Sequence, residues 1–240
     1  MTVEEFSNGF DSLVASYRRF KDFDRQELLD SIEFDEYEKS LFLTKAQDDL
    51  VISLYTGKNP FRDSFEKTEE LRRYLSELVV ETELSPTENS TGILGMGSRS
   101  KFFTLPEDLW FITYEQVDVS DAKCEGSSKL DVVPVTQDEY HRIKRNPFRG
   151  ANTRRALRLD LADGVVEIIS KLTVVSYYVR YIKEPKPIIL TELPRGLTIK
   201  ELSTVTPCEL HTALHQRILE EGVRLALQTK VGSSKNDKEK

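Results

Sequence analysis

ALRLDLADGVVEIISKLTVVSYYVRYI, residues 156–182, packs three strand-forming runs into one stretch with no space for a helix between them. Ala156–Leu161, Val165–Ile169 and Val174–Ile182 are rich in the β-branched and aromatic side chains that suit a pleated, half-buried surface. Asp163-Gly164 separates the first two, and such a pair favours the tight hairpin turn that needs positive φ at both central positions. Strands that follow one another without intervening helices favour antiparallel pairing. The pattern extends in both directions. Upstream, strand character begins at Phe102 and includes Trp110–Val117 and Leu130–Val135, and downstream it reaches Pro187–Leu190. Thr136-Gln137-Asp138-Glu139 has the form of an N-terminal cap for a short helix containing Tyr140 and Ile143, which Asn146-Pro147 would stop.

Around this β part the period is helical. Phe6, Phe10, Leu13, Val14 and Tyr17 mark a helix from Val3 to about Phe20. Asp35-x-x-Glu38 is a capping box, followed by the stripe Leu43, Ala46, Leu50, Val51 and Leu54, broken by Gln47 and ended at Gly57. After the turn at Asn59-Pro60, Asp63-Ser64-Phe65-Glu66 repeats the cap logic. Leu71, Tyr74, Leu75, Leu78 and Val79 then give a second apolar face, predicting two antiparallel helices. At the other end, Thr206-Pro207-Cys208-Glu209 combines a Thr cap, Pro at the first helical position and Glu at the third. Leu210, Leu214, Ile218 and Leu225 supply the face of that helix, to about Gln228.

These readings make an α+β protein: an N-terminal helical part, a mainly antiparallel β part and a C-terminal helix. The expected organisation is an acidic helical region over 1–84, a flexible linker or loop over 85–100 and a mainly β region over 101–205. A C-terminal helix over 206–229 and a disordered tail over 230–240 complete it. The loop stretch SPTENSTGILGMGSRS is dominated by Ser, Thr, Gly and Asn, and the tail VGSSKNDKEK is polar.

Composition bounds the class. With 38% hydrophobic residues, 12 Phe and 9 Tyr the chain can build a core, so wholesale disorder is not expected. Two cysteines, Cys124 and Cys208, neither make a disulfide framework nor fill a four-ligand zinc site, and they fit a reducing compartment. The acidic start MTVEEFSNGF is not a secretory signal, and no apolar run nears the roughly 20 residues that span a bilayer. The expectation is a soluble intracellular product without membrane contact, in which the sequon at Asn89 has no glycan meaning.

Catalytic signatures are missing from the sequence. Gly92, Gly95 and Gly97 in GILGMG lack the Lys-Ser/Thr of a phosphate-binding loop, and adjacent carboxylates such as Asp48-Asp49 and Glu69-Glu70 diverge by about 100° on a helix. No G-x-S-x-G elbow occurs. Cys208, His211 and His215 would share a face at i, i+3, i+7 if all three lay on the C-terminal helix. That face could hold a metal or, as the simpler reading, serve packing. No cofactor is expected.

Charge is the most informative feature for function. Residues 1–90 carry 21 acidic and 11 basic side chains, a local −10, leaving the remaining 150 residues at +3. Tyr140–Arg158, YHRIKRNPFRGANTRRALR, holds seven Lys/Arg and no acid in a chain of formal charge −7. Such a block suggests a surface built to meet an acidic partner or a phosphate backbone. Its members Arg142, Lys144, Arg145, Arg149, Arg154, Arg155 and Arg158 are nearly all Arg, whose planar fork suits carboxylate and phosphate alike. Tyr140 and Phe148 give little aromatic interleaving, no nucleic-acid-binding motif accompanies the block, and the pI is about 5.2. Contact with an acidic surface of another subunit is the favoured reading. Binding of nucleic-acid backbone through Arg142–Arg158 is the alternative, and a solvated loop is the plainest one.

Five segments occur in a recognisable order: FDEYEKSLFLTKAQDDLVISLYTG (34–57), FEKTEELRRYLSEL (65–78), VVPVTQDEYHRIKRNPFRG (132–150), YYVRYIKEPKPIIL (177–190) and TPCELHTALHQRILEEGVRLAL (206–227). Together they resemble virion structural proteins of crAss-like bacteriophages, most of all the portal-proximal neck ring, or head–tail connector, proteins. The likeness leaves the 85–100 loop and the tail outside. It implies a non-enzymatic subunit of a homo-oligomeric ring, dodecameric if it matches the portal. It also implies contact with the portal protein and with other neck or tail rings, transient passage of double-stranded DNA, and a place in the virion neck after assembly in the host cytoplasm. In such a ring the seven cations of the block would fix subunit register, each basic face meeting a neighbour's acidic one.

Overall fold

The computed structural model describes residues 1–20, 33–58, 69–88, 95–97, 100–121 and 124–236. The chain forms two units, one made of Met1–Leu78 with Pro185–Lys240 and the other of Val79–Glu184. The architecture is α+β, as the sequence predicts.

The first unit is helical. It contains α1 (Val3–Phe20), α2 (Glu36–Thr56) and α3 (Glu69–Tyr74), the last followed by a 3-10 turn at Ser76–Leu78. Phe6, Phe10 and Val14 of α1 are buried as the stripe requires. The capping box at α2 is formed in full, with Asp35 accepting the Glu38 N–H at 2.7 Å, and Gly57 closes the helix at φ 77°. The proposed cap at Asp63 and the turn at Asn59-Pro60 lie outside the described residues.

Gln47, which interrupts the apolar stripe of α2, has a structural reason. Ser40, Thr44 and Gln47 form a second, buried polar row on that helix. Their side chains hold the extended segment 186–190. Gln47 donates to the Lys186 carbonyl at 2.8 Å, Thr44 accepts the Ile188 N–H at 3.1 Å, and Ser40 accepts the Leu190 N–H at 3.0 Å. Pro187–Leu190 is therefore not a ladder strand. Its backbone groups are satisfied by a helix, apart from one bridge between Ile189 and Thr206.

The C-terminal helix begins later than its sequence cap suggests. A 3-10 turn at Thr212–Leu214 leads into the long helix His215–Asn236, designated α5 because a short helix precedes it in the other unit. Thr206 cannot cap it, because its backbone is committed to Ile189, with N···O distances of 3.0 and 3.1 Å. Glu209 reaches Lys186 at 3.4 Å instead of turning back. His211 serves as the cap, its Nδ1 accepting the Ala213 N–H at 3.2 Å. The helix continues to Asn236, into the stretch expected to be disordered, while 237–240 lie outside the described residues.

The second unit is a sheet of seven strands in the order β1-β7-β3-β4-β5-β6-β2. They are β1 (Val79–Leu84), β2 (Lys101–Thr104), β3 (Leu109–Asp121), β4 (Cys124–Pro134), β5 (Arg155–Asp160), β6 (Val165–Ile169) and β7 (Thr173–Lys183). Val79–Leu84 was expected to end the helical region. It is an edge strand instead, pairing antiparallel with Tyr177–Ile182, which suits the alternating VVETEL pattern. The Asp163-Gly164 hairpin forms with φ of 58° and 68°. Among the described strands every pairing is antiparallel except β4 with β5, which run parallel.

The 85–100 stretch contacts the sheet where it is described. Thr87 bridges to Phe102, and the fully buried Glu167 of β6 accepts the N–H groups of Met96 and Gly97 at 2.6 and 3.3 Å.

Candidate assembly surface

The parallel β4–β5 pair dictates where the basic block goes. Parallel neighbours cannot be joined by a tight turn, so the chain must cross over, commonly through a helix. Residues 135–154 make that crossover, and they contain most of the block. The crossover helix, α4 (Gln137–Ile143), is capped by Thr136, whose Oγ1 accepts the Glu139 N–H at 3.3 Å. Tyr140 and Ile143 bury one side of α4 against Leu157, Leu159 and Ile169. His141, Arg142, Lys144 and Arg145 are left on the outside.

The loop after α4 is tied down by its own polar groups. Asn146 Oδ1 accepts the N–H groups of Phe148 and Arg149 at 2.9 and 3.2 Å, an Asx turn. The Asn146 carbonyl accepts the Gly150 N–H at 2.7 Å, and its N–H donates to Ile143 at 2.7 Å. Gly150 is required by space: a Cβ there would lie 2.8 Å from the Asn146 carbonyl oxygen and 3.0 Å from that of Ile143. Further on, Asn152 Oδ1 accepts the Arg154 N–H at 2.8 Å, and Arg155 Nη1 donates to the Phe148 carbonyl at 3.1 Å. The loop holds Phe148 out in solvent, 84% exposed.

The predicted cations fall into two groups. Arg142, Lys144, Arg145, Arg149 and Arg154 are exposed. Among the described residues no carboxylate pairs with Arg142, Arg145, Arg149 or Arg154, and Lys144 lies 3.5 Å from His141. Arg142 and Arg149 border a polar hollow of about 450 Å³ with Thr136, Asp138, Glu139 and Asn146. Arg155 is half-buried and braces the Phe148 loop.

Arg158 belongs elsewhere. Side chains alternate along β5, so Arg158 leaves the opposite face from Leu157 and Leu159, away from α4. There it is buried, with Nη1 2.6 Å from Glu115 and Nε 2.9 Å from Asp160. These approaches are not aligned as hydrogen bonds, so the attraction is chiefly Coulombic. The Tyr177 hydroxyl donates to the other Glu115 oxygen at 2.6 Å. Burial pushes the Glu115 carboxyl above its usual range, against the pull of Arg158. Burial alone would weaken the Arg158 charge, but Glu115 and its neighbours more than offset that and hold the guanidinium protonated.

Cys208, His211 and His215 do not share a helical face, because the helix starts after the first two. The Cys208 thiol donates to Gln47 at 3.2 Å, and burial raises its pKa to about 11. His211 caps the 3-10 turn and packs its ring on Tyr74. His215 is buried, with Nε2 donating to the Leu210 carbonyl at 2.8 Å and Nδ1 2.7 Å from the Met1 amine. Among the described residues no cluster of His, Cys, Asp and Glu could hold a metal ion.

Sequence reasoning missed two things here. Phe148 was counted only as sparse aromatic content, although Asn-Pro before it and Gly after it signal a rigid turn that would present it. The burial of Arg158 was hidden inside a run of like charges.

Comparison with known proteins adds the family. The family model described as phage tail ring protein 3/4 matches residues 1–238, which includes the 85–100 loop and most of the tail. Ring protein 3 of Bacteroides phage crAss001 is 46% identical over 233 residues, 96% of each chain. Ring protein 4/5 of the same phage is 32% identical over 235 residues, 94% of this chain and 92% of that protein.

Proposed function

Because the chain belongs to the phage tail ring protein 3/4 family of crAss-like phages, and is thus a structural ring subunit of the virion, we propose that its ring sits in the neck. There it connects the capsid portal to the tail, lines the channel through which the genome leaves, and carries out no catalysis. Portal protein and other neck or tail rings are its stacking partners, and dodecameric symmetry matching the portal is the expected stoichiometry. Assembly would take place in the host cytoplasm.

The observation that carries the subunit-contact part is the crossover surface, where Arg142, Arg145, Arg149 and Arg154 are exposed and pair with no carboxylate among the described residues, in a chain of net charge −7. Subunits in a ring meet through two different faces, and complementary charge selects partner and register. Asp138 and Glu139 border the same hollow as Arg142 and Arg149.

Mass photometry and negative-stain microscopy of the purified chain, alone and with the portal protein, test the proposal. Discrete rings that stack on the portal are expected, and Arg145→Glu with Arg154→Glu should weaken them. A monomer at every concentration and with every virion partner would refute it. DNA affinity that falls steeply with salt would then favour the nucleic-acid alternative.

A further inference from the structure

We propose that Phe148 is the anchor of the contact between neighbouring copies of this chain, inserted into an acidic face of the next copy, with Arg142, Arg145, Arg149 and Arg154 of the same crossover supplying the complementary charge. The inference rests on the ring reading above and names the residue on which that interface depends.

Three observations carry it. Phe148 is 84% exposed, whereas Phe6, Phe10 and Phe103 are all buried. An aromatic ring left in water is costly unless a partner covers it, and aromatic anchors with a polar rim are the usual centres of binding energy. The loop is also ordered before any partner arrives. Asn146 holds the backbone of Phe148 and Arg149, Arg155 holds the Phe148 carbonyl, and Gly150 permits the close return. Little conformational freedom is then lost on docking.

Charge selects the occupant. The chain carries −7 and the block Tyr140–Arg158 alone carries +7, so all the rest of a second copy presents −14. The same chain thus supplies both the basic knob and an acidic surface to receive it. A contact between two different faces of identical subunits is the heterologous kind that propagates around a ring.

The test uses the full chain. The assembly midpoint of Phe148→Ala is measured by mass photometry over a dilution series, and a photo-crosslinking phenylalanine analogue is placed at position 148 in a separate sample. The expected result is a midpoint raised roughly thirtyfold, with an unchanged melting temperature because the ring touches little within its own chain. The crosslink should join position 148 to an acidic segment of another copy. If wild type forms rings and Phe148→Ala forms them at the same concentration, the inference is wrong and the ring reading stands. Crosslinks only to portal or to a different ring protein also overturn it, since the occupant is then not a second copy. If wild type assembles neither alone nor with its virion partners, the ring reading itself fails and takes the inference with it.

Discussion

Arg155 and Arg158 are three residues apart in one strand and leave it on opposite faces. On the outer side of β5, the crossover carries Arg142, Lys144, Arg145, Arg149, Arg154 and Phe148 into solvent, with Arg155 bracing the loop. On the inner side, Arg158 is buried with Glu115 and Tyr177 and reaches the exposed Asp160. The inner cation is part of the fold, and the outer ones are exposed. What separates them is the period-two alternation of a strand, not local charge density. The helical unit has its own inner cation. Lys39 is buried with Asp11 at 2.7 Å and Glu36 at 2.8 Å, which fastens α1 to α2.

The sharpest way to break this contrast is Arg158→Met. It leaves the Glu115 carboxylate buried without its cation, and a loss of about 3–5 kcal/mol in denaturant unfolding is expected. Adding Glu115→Gln should recover much of it. A loss within the noise of the measurement would place Arg158 with the outer group.

The next effect concerns Cys208, whose raised pKa of about 11 keeps the thiol protonated at neutral pH. In a Cys124→Ser background, alkylation of Cys208 should run roughly a hundredfold slower than that of a free cysteine. Its rate should climb with pH until the thiol ionises near that pKa, because only the thiolate reacts. Ordinary reactivity at neutral pH would mean that the contact with Gln47 opens readily.

Gln47→Leu tests the polar row of α2. It leaves the Lys186 carbonyl without its donor, and a loss of about 1–3 kcal/mol follows from burying an unsatisfied group. An increase in stability would show that the apolar stripe, not the polar row, governs this face.

The smallest stability effect belongs to the outer cations. Arg145→Glu and Arg149→Glu should each shift stability by no more than about 0.5 kcal/mol, as exposed substitutions generally do, while weakening assembly. Large destabilisation from either would show that the crossover surface holds the fold together and would blur the contrast with Arg158.

Legibility in the sequence follows how local each cause is. The Asp35 capping box, the Gly57 cap and the Asp163-Gly164 hairpin depend on residues within one turn of each other, and all three form as read. The cap at Thr206 is equally local in appearance, yet it fails because Ile189 captures the Thr206 backbone. Val79 satisfies a helical stripe and a strand alternation equally well over so short a run. Pairing with Tyr181 and Ile182, a hundred positions away, selects the strand. Gln47 looks like a flaw in a stripe until the segment it holds is known.

Residue order along the chain is enough to read the α+β class, the helices α1 and α2, the β-rich centre, the polarised charge and the membership that its ordered segments suggest. These rest on periodicity, on caps and on patterns read along the chain. It takes the folded chain to show that β4 and β5 run parallel, that the crossover between them exposes Phe148, and that Arg158 turns inward. Each of those outcomes depends on which distant strand becomes a neighbour, because strand pairing sets which face of a residue meets water and which meets the core.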